Sequence, residues 1–321
     1  MNRNVIIDCD TGMDDAVALL LAIRSPILNV KGITYVAGNV NLDYVINNTL
    51  RVVEHSDQKV PVYAGARMPL VPQISDDASS VHGKDGLGGL PFPDPQASVQ
   101  KTHAVDFIVD TIMAAEQPLD WITLGPLTNA ALAYIKEPHI AENIRQLTMM
   151  AGAVETGNVL PTSEFNVYAD PEAAKVVFDS SIPKTMVPLD PLYHGGLLTK
   201  DDIQIISDAS QAAWCDMATR IFKRSIEINK KLGRRAVQGK DGSVTPPDLL
   251  AVAIAIDPSI ANLTEYTVQV ETRGLETRGM TVVDRRVYDN PGRETLKNPV
   301  RIAFSIDQRK YRDLVLDAWI K

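Results

Sequence analysis

The chain has 321 residues, 45% hydrophobic and 22% charged, a composition of globular proteins rather than disordered or fibrous ones and a length that can bury a sizeable core. Its 32 basic and 40 acidic side chains leave a formal charge of −8, which argues against a general nucleic-acid binder, because phosphates need a basic face. Two cysteines, Cys9 and Cys215, exclude a disulfide framework and a cysteine-only zinc site, no apolar run reaches the ~18 residues of a membrane span, and MNRN passes into VIIDCDTG without a signal-peptide pattern, so a reducing, cytoplasmic setting without a membrane partner is expected.

In chain order, Val5 to Ile7 reads as a buried strand and Asp14 to Arg24 as a helix with its acids in the first turn, where the helix dipole favours them. Leu28 to Val36 is a second strand and Leu42 to His55 a helix. The Pro/Gly-rich stretch Pro69 to Pro95 is a linker or an active-site loop. His103 to Gln117 is helical, Trp121 to Leu124 a strand, Leu127 to Ile135 a helix, and Gln146 to Ala151 a strand. Pro171 to Asp179 is a helix, Lys184 to Pro188 a strand, and Gln211 to Lys231 and Asp248 to Ile256 are helices. Strands that alternate with helices imply an α/β fold: an open, mostly parallel, Rossmann-like sheet covered on both faces. Tyr266 to Glu271, Met280 to Asp284 and Arg301 to Ser305 read as strands without intervening helices, a small antiparallel C-terminal extension. The βα rhythm resumes after the loop stretch, so residues 1–321 read as one domain.

Ligands of such a sheet bind outside the carboxyl ends of its strands. Directly after the first strand comes Asp8-Cys9-Asp10-Thr11-Gly12-Met13-Asp14-Asp15, four carboxylates in eight residues. Like charges so close repel unless a cation sits among them, and carboxylate oxygens suit Mg²⁺ or Ca²⁺. A calcium-binding EF-hand loop fails, because its twelfth position counted from Asp8 is Leu19 and a strand, not a helix, precedes it. Asp8-Cys9-Asp10-Thr11 also matches the D-x-D-x-[TV] motif of haloacid-dehalogenase-like Mg²⁺ phosphatases, with Asp8 as nucleophile and Asp10 as acid/base, but that leaves Asp14 and Asp15 unexplained.

Asp8 to Ala16 (DCDTGMDDA) strongly resembles the signature D-x-D-x-G-x-D-D-A of the inosine-uridine nucleoside hydrolase family. Val36 to Val40 (VAGNV), His82 to Gly89 (HGKDGLGG), Leu124 to Asn129 (LGPLTN), Met150 to Ala153, Gly157-Asn158, Glu164-Phe165-Asn166, Asp170 to Ala174 (DPEAA), Pro247-Asp248 and Arg278 to Asp284 (RGMTVVD) follow the family's order over nearly the whole chain. The resemblance implies the nucleoside hydrolase fold and hydrolysis of the N-glycosidic bond of ribonucleosides to ribose and base. It implies one Ca²⁺ held by Asp10, Asp15, the carbonyl of Leu124 and Asp248, with Asp10 also the general base. Asp14 and Asn166 would hold the 2′- and 3′-hydroxyls with Asn39 close by, Asn158 and Glu164 the 5′-hydroxyl, and Met150 and Phe165 would give apolar contact. Asp8 would support the others. A homodimer or homotetramer is implied as well. A non-catalytic nucleoside- or ribose-binding protein on the same fold stands as an alternative, against which the retained Asp10 argues.

Taken singly, each residue has a plainer reading: Asn158 a turn residue, Glu164 and Asn166 a solvated strand face, Asp248 an N-cap, His82 a solvated loop histidine. One position departs from the family pattern. Where its members carry His or Trp before the last metal-binding Asp, this chain has Pro247, which can neither donate a proton nor stack. Help for the leaving base then falls to His82, or to Arg234 and Arg235 on the stretch Ile226 to Lys240.

Overall fold

The computed structural model of the protein describes residues 2–72, 78–195, 197–231, 242–286 and 298–320. β1 (Arg3–Cys9) pairs in parallel with β2 (Leu28–Tyr35), Ile7 opposite Ile33, and α1 (Met13–Arg24) makes the crossover that parallel pairing requires. α2 (Leu42–His55) leads to β3 (Val62–Ala64), an edge strand of three residues, too short for periodicity to reveal. The stretch from Pro69 to Pro95 is largely irregular and carries one turn of helix, α3 (Ser79–His82). α4 (Ala104–Met113) is shorter than the predicted His103 to Gln117 helix. Pro118 pushes the residue before it out of helical backbone, and the chain is extended from there into β4 (Leu119–Thr123).

α5 (Thr128–Lys136), β5 (Ile144–Met150), α6 (Phe165–Ala169), α7 (Pro171–Asp179) and β6 (Lys184–Val187) continue the rhythm. The sequence reading contains no counterpart of α6, of α8 (Asp190–His194) or of α9 (Lys200–Ala209). The last begins with a reciprocal cap: Thr199 Oγ1 accepts from the Asp202 amide and Asp202 Oδ2 accepts from the Thr199 amide. α10 (Ala213–Lys231) and α11 (Pro247–Ile256) match expectation. α11 is buried over nine of its ten residues, Pro247 excepted, because it packs against α1, β4, β5 and the final helix of the chain.

The C-terminal third corrects the expected arrangement. The predicted Tyr266 to Glu271 strand is two elements: β7 (Ala261–Tyr266) and β8 (Val268–Val270). β8 pairs with β9 (Thr281–Val283) in a separate antiparallel ribbon, whereas β10 (Val300–Ile306) enters the main sheet, parallel to β6 and antiparallel to β7. α12 (Gln308–Ile320) follows and buries Tyr311, Val315, Leu316 and Trp319 along one face, a helical period where no helix was expected.

The main sheet runs β3-β2-β1-β4-β5-β6-β10-β7, with β7 antiparallel to its neighbour and every other pairing parallel. Side chains of α1, α2 and α9 to α12 form the core on one face, those of α4, α5 and α7 the core on the other. Strand order reverses between β1 and β4, which opens a crevice at their carboxyl ends.

Asp170 ties this crevice's surroundings together. Fully buried, it caps α7 through Ala173, accepts from Thr128 Oγ1 of α5 at 2.6 Å, and accepts from the Leu70 amide at 2.8 Å. Asp170→Ala should cost about 2–4 kcal/mol, a lost cap plus two stranded donors, read as a lower urea midpoint at unchanged slope.

Candidate functional site

Asp10 leaves the end of β1 at the point where the sheet reverses. It has no solvent exposure, and the loops after β2 and β4 close on it from either side: a Cβ at Gly38 would stand 2.0 Å from Asp10 Oδ2, and one at Gly125 2.7 Å from Oδ1. Only residues without side chains fit there. Asp10 Oδ2 accepts from the Asn39 amide at 2.7 Å, while Oδ1 is buried with no hydrogen-bond partner. Asp15, in the first turn of α1, is equally buried. Its carboxylate accepts from the amides of Asp10 and Gly12 and from Asn39 Nδ2. Asp248 comes from the first turn of α11, and Asp14, Asp15 and Asp248 each offer an oxygen within 4.8 Å of the others. Pro246, not Asp248, holds the cap position of α11, and no side chain caps it, so the N-cap reading of Asp248 is replaced by one in which its carboxylate faces the other acids.

Burial pushes the carboxyls of Asp10 and Asp248 well above the usual carboxylate range, and neighbouring carboxylates push them further. Asp15 is raised to about 7, first by burial and then by Asp14. The charges that act on these three groups are all carboxylates. A compact all-oxygen donor set, an unpartnered buried carboxylate oxygen and, among the described residues, the lack of a basic side chain that offsets these charges fit a hard divalent cation.

Asp8, the nucleophile of the phosphatase reading, is fully buried, and its Oδ1 accepts from Thr34 Oγ1 and from Asn129 Nδ2. Burial raises it to about 7. Held by Thr34 of β2 and Asn129 of α5, Asp8 supports the strand end. Asn129 also reaches Tyr35 O and receives the Ala66 amide, locking β1, β2 and the loop after β3 together. This role of Asn129 was missed, although its segment stands among the motifs. Thr34 was missed too, since nothing marks a threonine within a strand.

The far wall is built by β5 and α6. Asn166 spends its amide nitrogen on Leu124 O at 2.7 Å and Met150 O at 3.0 Å, with Met150 Sδ at 3.2 Å. Glu164 and Asn166 are not a solvated strand face: Glu164 is the buried cap of α6, accepting from Asn166 and Val167, and from Gly152 at 2.8 Å. Burial raises its carboxyl to about 7. Asn158 is exposed and accepts from the Phe165 amide at 2.9 Å, and Phe165 is half-buried. Asp190 at the start of α8 receives the amides of Val154 and Glu155, and Thr281 of β9 clasps Ala153 on both its amide and its carbonyl. The small ribbon thus holds the loop that carries this wall.

His82 is buried rather than solvated. Its Nδ1 accepts from the Met13 amide at 3.2 Å and lies 3.5 Å from Asp14 Oδ1. Arg234 and Arg235 lie outside the described residues. No described helix is long and apolar enough to cross a membrane.

A family model described as inosine-uridine preferring nucleoside hydrolase matches residues 5–313. The chain is 36% identical to the pyrimidine-specific ribonucleoside hydrolase RihB of Escherichia coli (strain SE11) over 285 residues, 88% of this chain and 87% of that protein. It is 34% identical to the pyrimidine-specific ribonucleoside hydrolase RihA of Photobacterium profundum over 321 residues, 99% of this chain and 98% of that one. The solved structure of a plant nucleoside hydrolase, PpNRh1, superposes with a TM-score of 0.87 at 27% identity, covering 100% of this chain and 99% of the other.

The raised carboxyls set a direction for stability against pH. With cations stripped, the folded protein holds protons on Asp8, Asp15 and Glu164 up to about pH 7, whereas the unfolded chain releases them near pH 4. The folded state binds more protons in that window, so their stabilisation is full at the acid end and lost as pH rises to about 7. A divalent cation seated on Asp15 and Asp248 would compete with the protons these two hold, though not with those of Asp8 and Glu164. Its stabilisation, about 2.7 kcal/mol at a hundred times its Kd, should therefore grow between pH 5 and 8. Thermal scans with and without added cation check this; a gain that shrinks with pH contradicts it.

Proposed function

Because the chain belongs to the inosine-uridine preferring nucleoside hydrolase family and hydrolyses the N-glycosidic bond of ribonucleosides, we propose that its carboxylate cluster holds Ca²⁺, that Asp10 is the general base and that pyrimidine ribonucleosides are the preferred substrates. The observation that carries this reading is the convergence of Asp14, Asp15 and Asp248 near the sheet's reversal point, with Asp10 close enough to feel the charges of Asp14 and Asp15 and one of its buried oxygens unpartnered. The pyrimidine preference rests on the two relatives named above.

A bound Ca²⁺, held by Asp10, Asp15, Asp248 and the carbonyl of Leu124, would neutralise these carboxylates and acidify a nearby water. Asp10 Oδ1 is then the free oxygen that takes a proton as water attacks the anomeric carbon. The bond to the base breaks through an oxocarbenium-like ribose. Both amide protons of Asn166 are engaged by backbone carbonyls, so what it offers a sugar hydroxyl is its carbonyl oxygen, with Asp14 across the crevice for the neighbouring hydroxyl. Glu164 receives three amides on two oxygens and keeps acceptor capacity for the 5′-hydroxyl, with Asn158 beside it. The departing base nitrogen needs a proton, which Pro247 cannot give. His82, whose Nδ1 accepts the Met13 amide in the neutral resting ring and lies 3.5 Å from Asp14 Oδ1, is the donor once protonated: the imidazolium gives one ring proton to the base nitrogen and returns to the neutral imidazole. Assembly as a homodimer or homotetramer and a cytoplasmic location accompany this reading.

Incubation with a panel of purine and pyrimidine ribonucleosides should release reducing sugar, fastest from uridine and cytidine, and 2′-deoxyuridine should lose on the order of 10⁴ in kcat/KM. Asp10→Ala should lose activity and bound calcium together, and full activity in a variant shown to be metal-free overturns the assignment. His82→Ala should cost roughly 10²–10⁴ on uridine yet little on p-nitrophenyl riboside, whose leaving group needs no proton. Equal losses on both assign the proton elsewhere.

A further inference from the structure

The segment after His82 turns back on itself at once. Gly83, Gly86, Gly88 and Gly89 all have positive φ, and the Gly88 amide donates to His82 O at 2.7 Å, closing a tight ring. This ring is fastened from both sides. Asn48 of α2, fully buried, donates to Thr11 O at 3.2 Å and to Asp85 O at 2.8 Å, joining the carboxylate segment to the turn. From the opposite side, Arg224 of α10 donates from Nε to Gly88 O at 2.6 Å. A Cβ at Gly88 would stand 2.7 Å from Arg224 Cγ and 3.0 Å from Met13 Sδ, so the backbone there is pressed between these two side chains. Ser225, next to Arg224, donates to Met13 Sδ at 3.8 Å. Met13 in turn is the residue whose amide holds His82 Nδ1.

We propose that Arg224 is a positioning residue for His82, fixing the imidazole through the Gly88 carbonyl and through Met13, whose side chain α10 also touches. The two routes meet on the same ring. Gly88 carries Arg224's hydrogen bond on its carbonyl and His82's on its amide, and Met13 N–H is a first-turn donor of α1 without an intrahelical acceptor, so His82 Nδ1 is its partner. Arg224 suits the task because its planar guanidinium serves two directions: Nε points to Gly88, while Nη1 bonds Glu227 Oε2 at 2.9 Å one turn further along α10. Without that bond the turn loses its fastening to α10, and the imidazole's distance from α1 is less tightly fixed. This role rests on the reading of His82 as proton donor to the base.

The test separates the two. In Arg224→Leu, kcat/KM on uridine should fall about tenfold or more, with p-nitrophenyl riboside spared, and Arg224→Lys should recover part of the loss. The double variant with His82→Ala should be no slower than His82→Ala alone, because removing the ring removes what Arg224 positions. Independently of activity, ¹⁵N labelling of the nine methionines gives an amide probe at each except the N-terminal Met1, and Met13 reports the bond to His82. Its hydrogen exchange should quicken at least tenfold in Arg224→Leu while the other probes hold, whereas general loosening of the fold quickens several. Multiplicative losses in the double variant, or an unchanged Met13 amide, overturn the positioning role. If His82→Ala turns over uridine at the parent rate, the proton-donor reading falls instead, and Met13 exchange alone decides whether Arg224 holds the ring.

Discussion

Four aspartates share a space in which they cannot all be charged on their own, and much of the surrounding structure answers that repulsion. Two of them, Asp14 and Asp15, sit in the first turn of α1 and a third, Asp248, in the first turn of α11, so two helix N-termini point their partial positive charge into the same crevice. Backbone amides of Asp10, Gly12 and Asn39 add further donors. These dipoles lessen the conflict without removing it, since burial and mutual repulsion still hold Asp10, Asp15 and Asp248 far above their usual range. What remains is a standing demand for positive charge, which no lysine or arginine among the described residues meets and which a bound cation could.

Rigidity is the companion of that demand. A cluster of repelling groups relaxes by moving apart unless the walls forbid it, and here the walls are backbone. Gly38 and Gly125 bring two loops against Asp10 with no side chain between, Asn129 ties three segments beneath Asp8, and Asn166 links the Leu124 carbonyl to that of Met150. Each tie runs between segments from different strand ends, so the sheet's regular spacing becomes the spacing of the functional groups.

Much of this was legible in the sequence because it is local or ordered. Four acids after a buried strand, then an apolar helix, point to a carboxylate cluster that could hold a metal, and the succession of short motifs identifies the family, its sheet and its chemistry. The short elements were hidden. β3 has three residues, α6 and α8 five each, and none carries enough periods to speak. α12 was concealed by charges between its buried positions, and α9 could have been found from Thr199 and Asp202 alone. Supporting polar residues were unreadable for another reason: Thr34, Asn48 and Arg224 act through contacts with segments at least twenty-six residues away, and a lone polar residue in a strand or helix carries no sign of its distant partner.

The small ribbon of β8 and β9 gives the site a history as well as a shape. Thr281 must be in place before Ala153 is held on both its amide and its carbonyl, and Asp248 must arrive before the acids from α1 have their counterpart, yet Asp10 directly follows the first strand of the chain. As the polypeptide emerges from the ribosome, the first half of the sheet can pair while its functional edge is still open. The chemistry is therefore a late product of folding, complete only when the last third of the chain has docked. A nascent chain thus holds its acids from α1 without their counterpart until Asp248 has emerged.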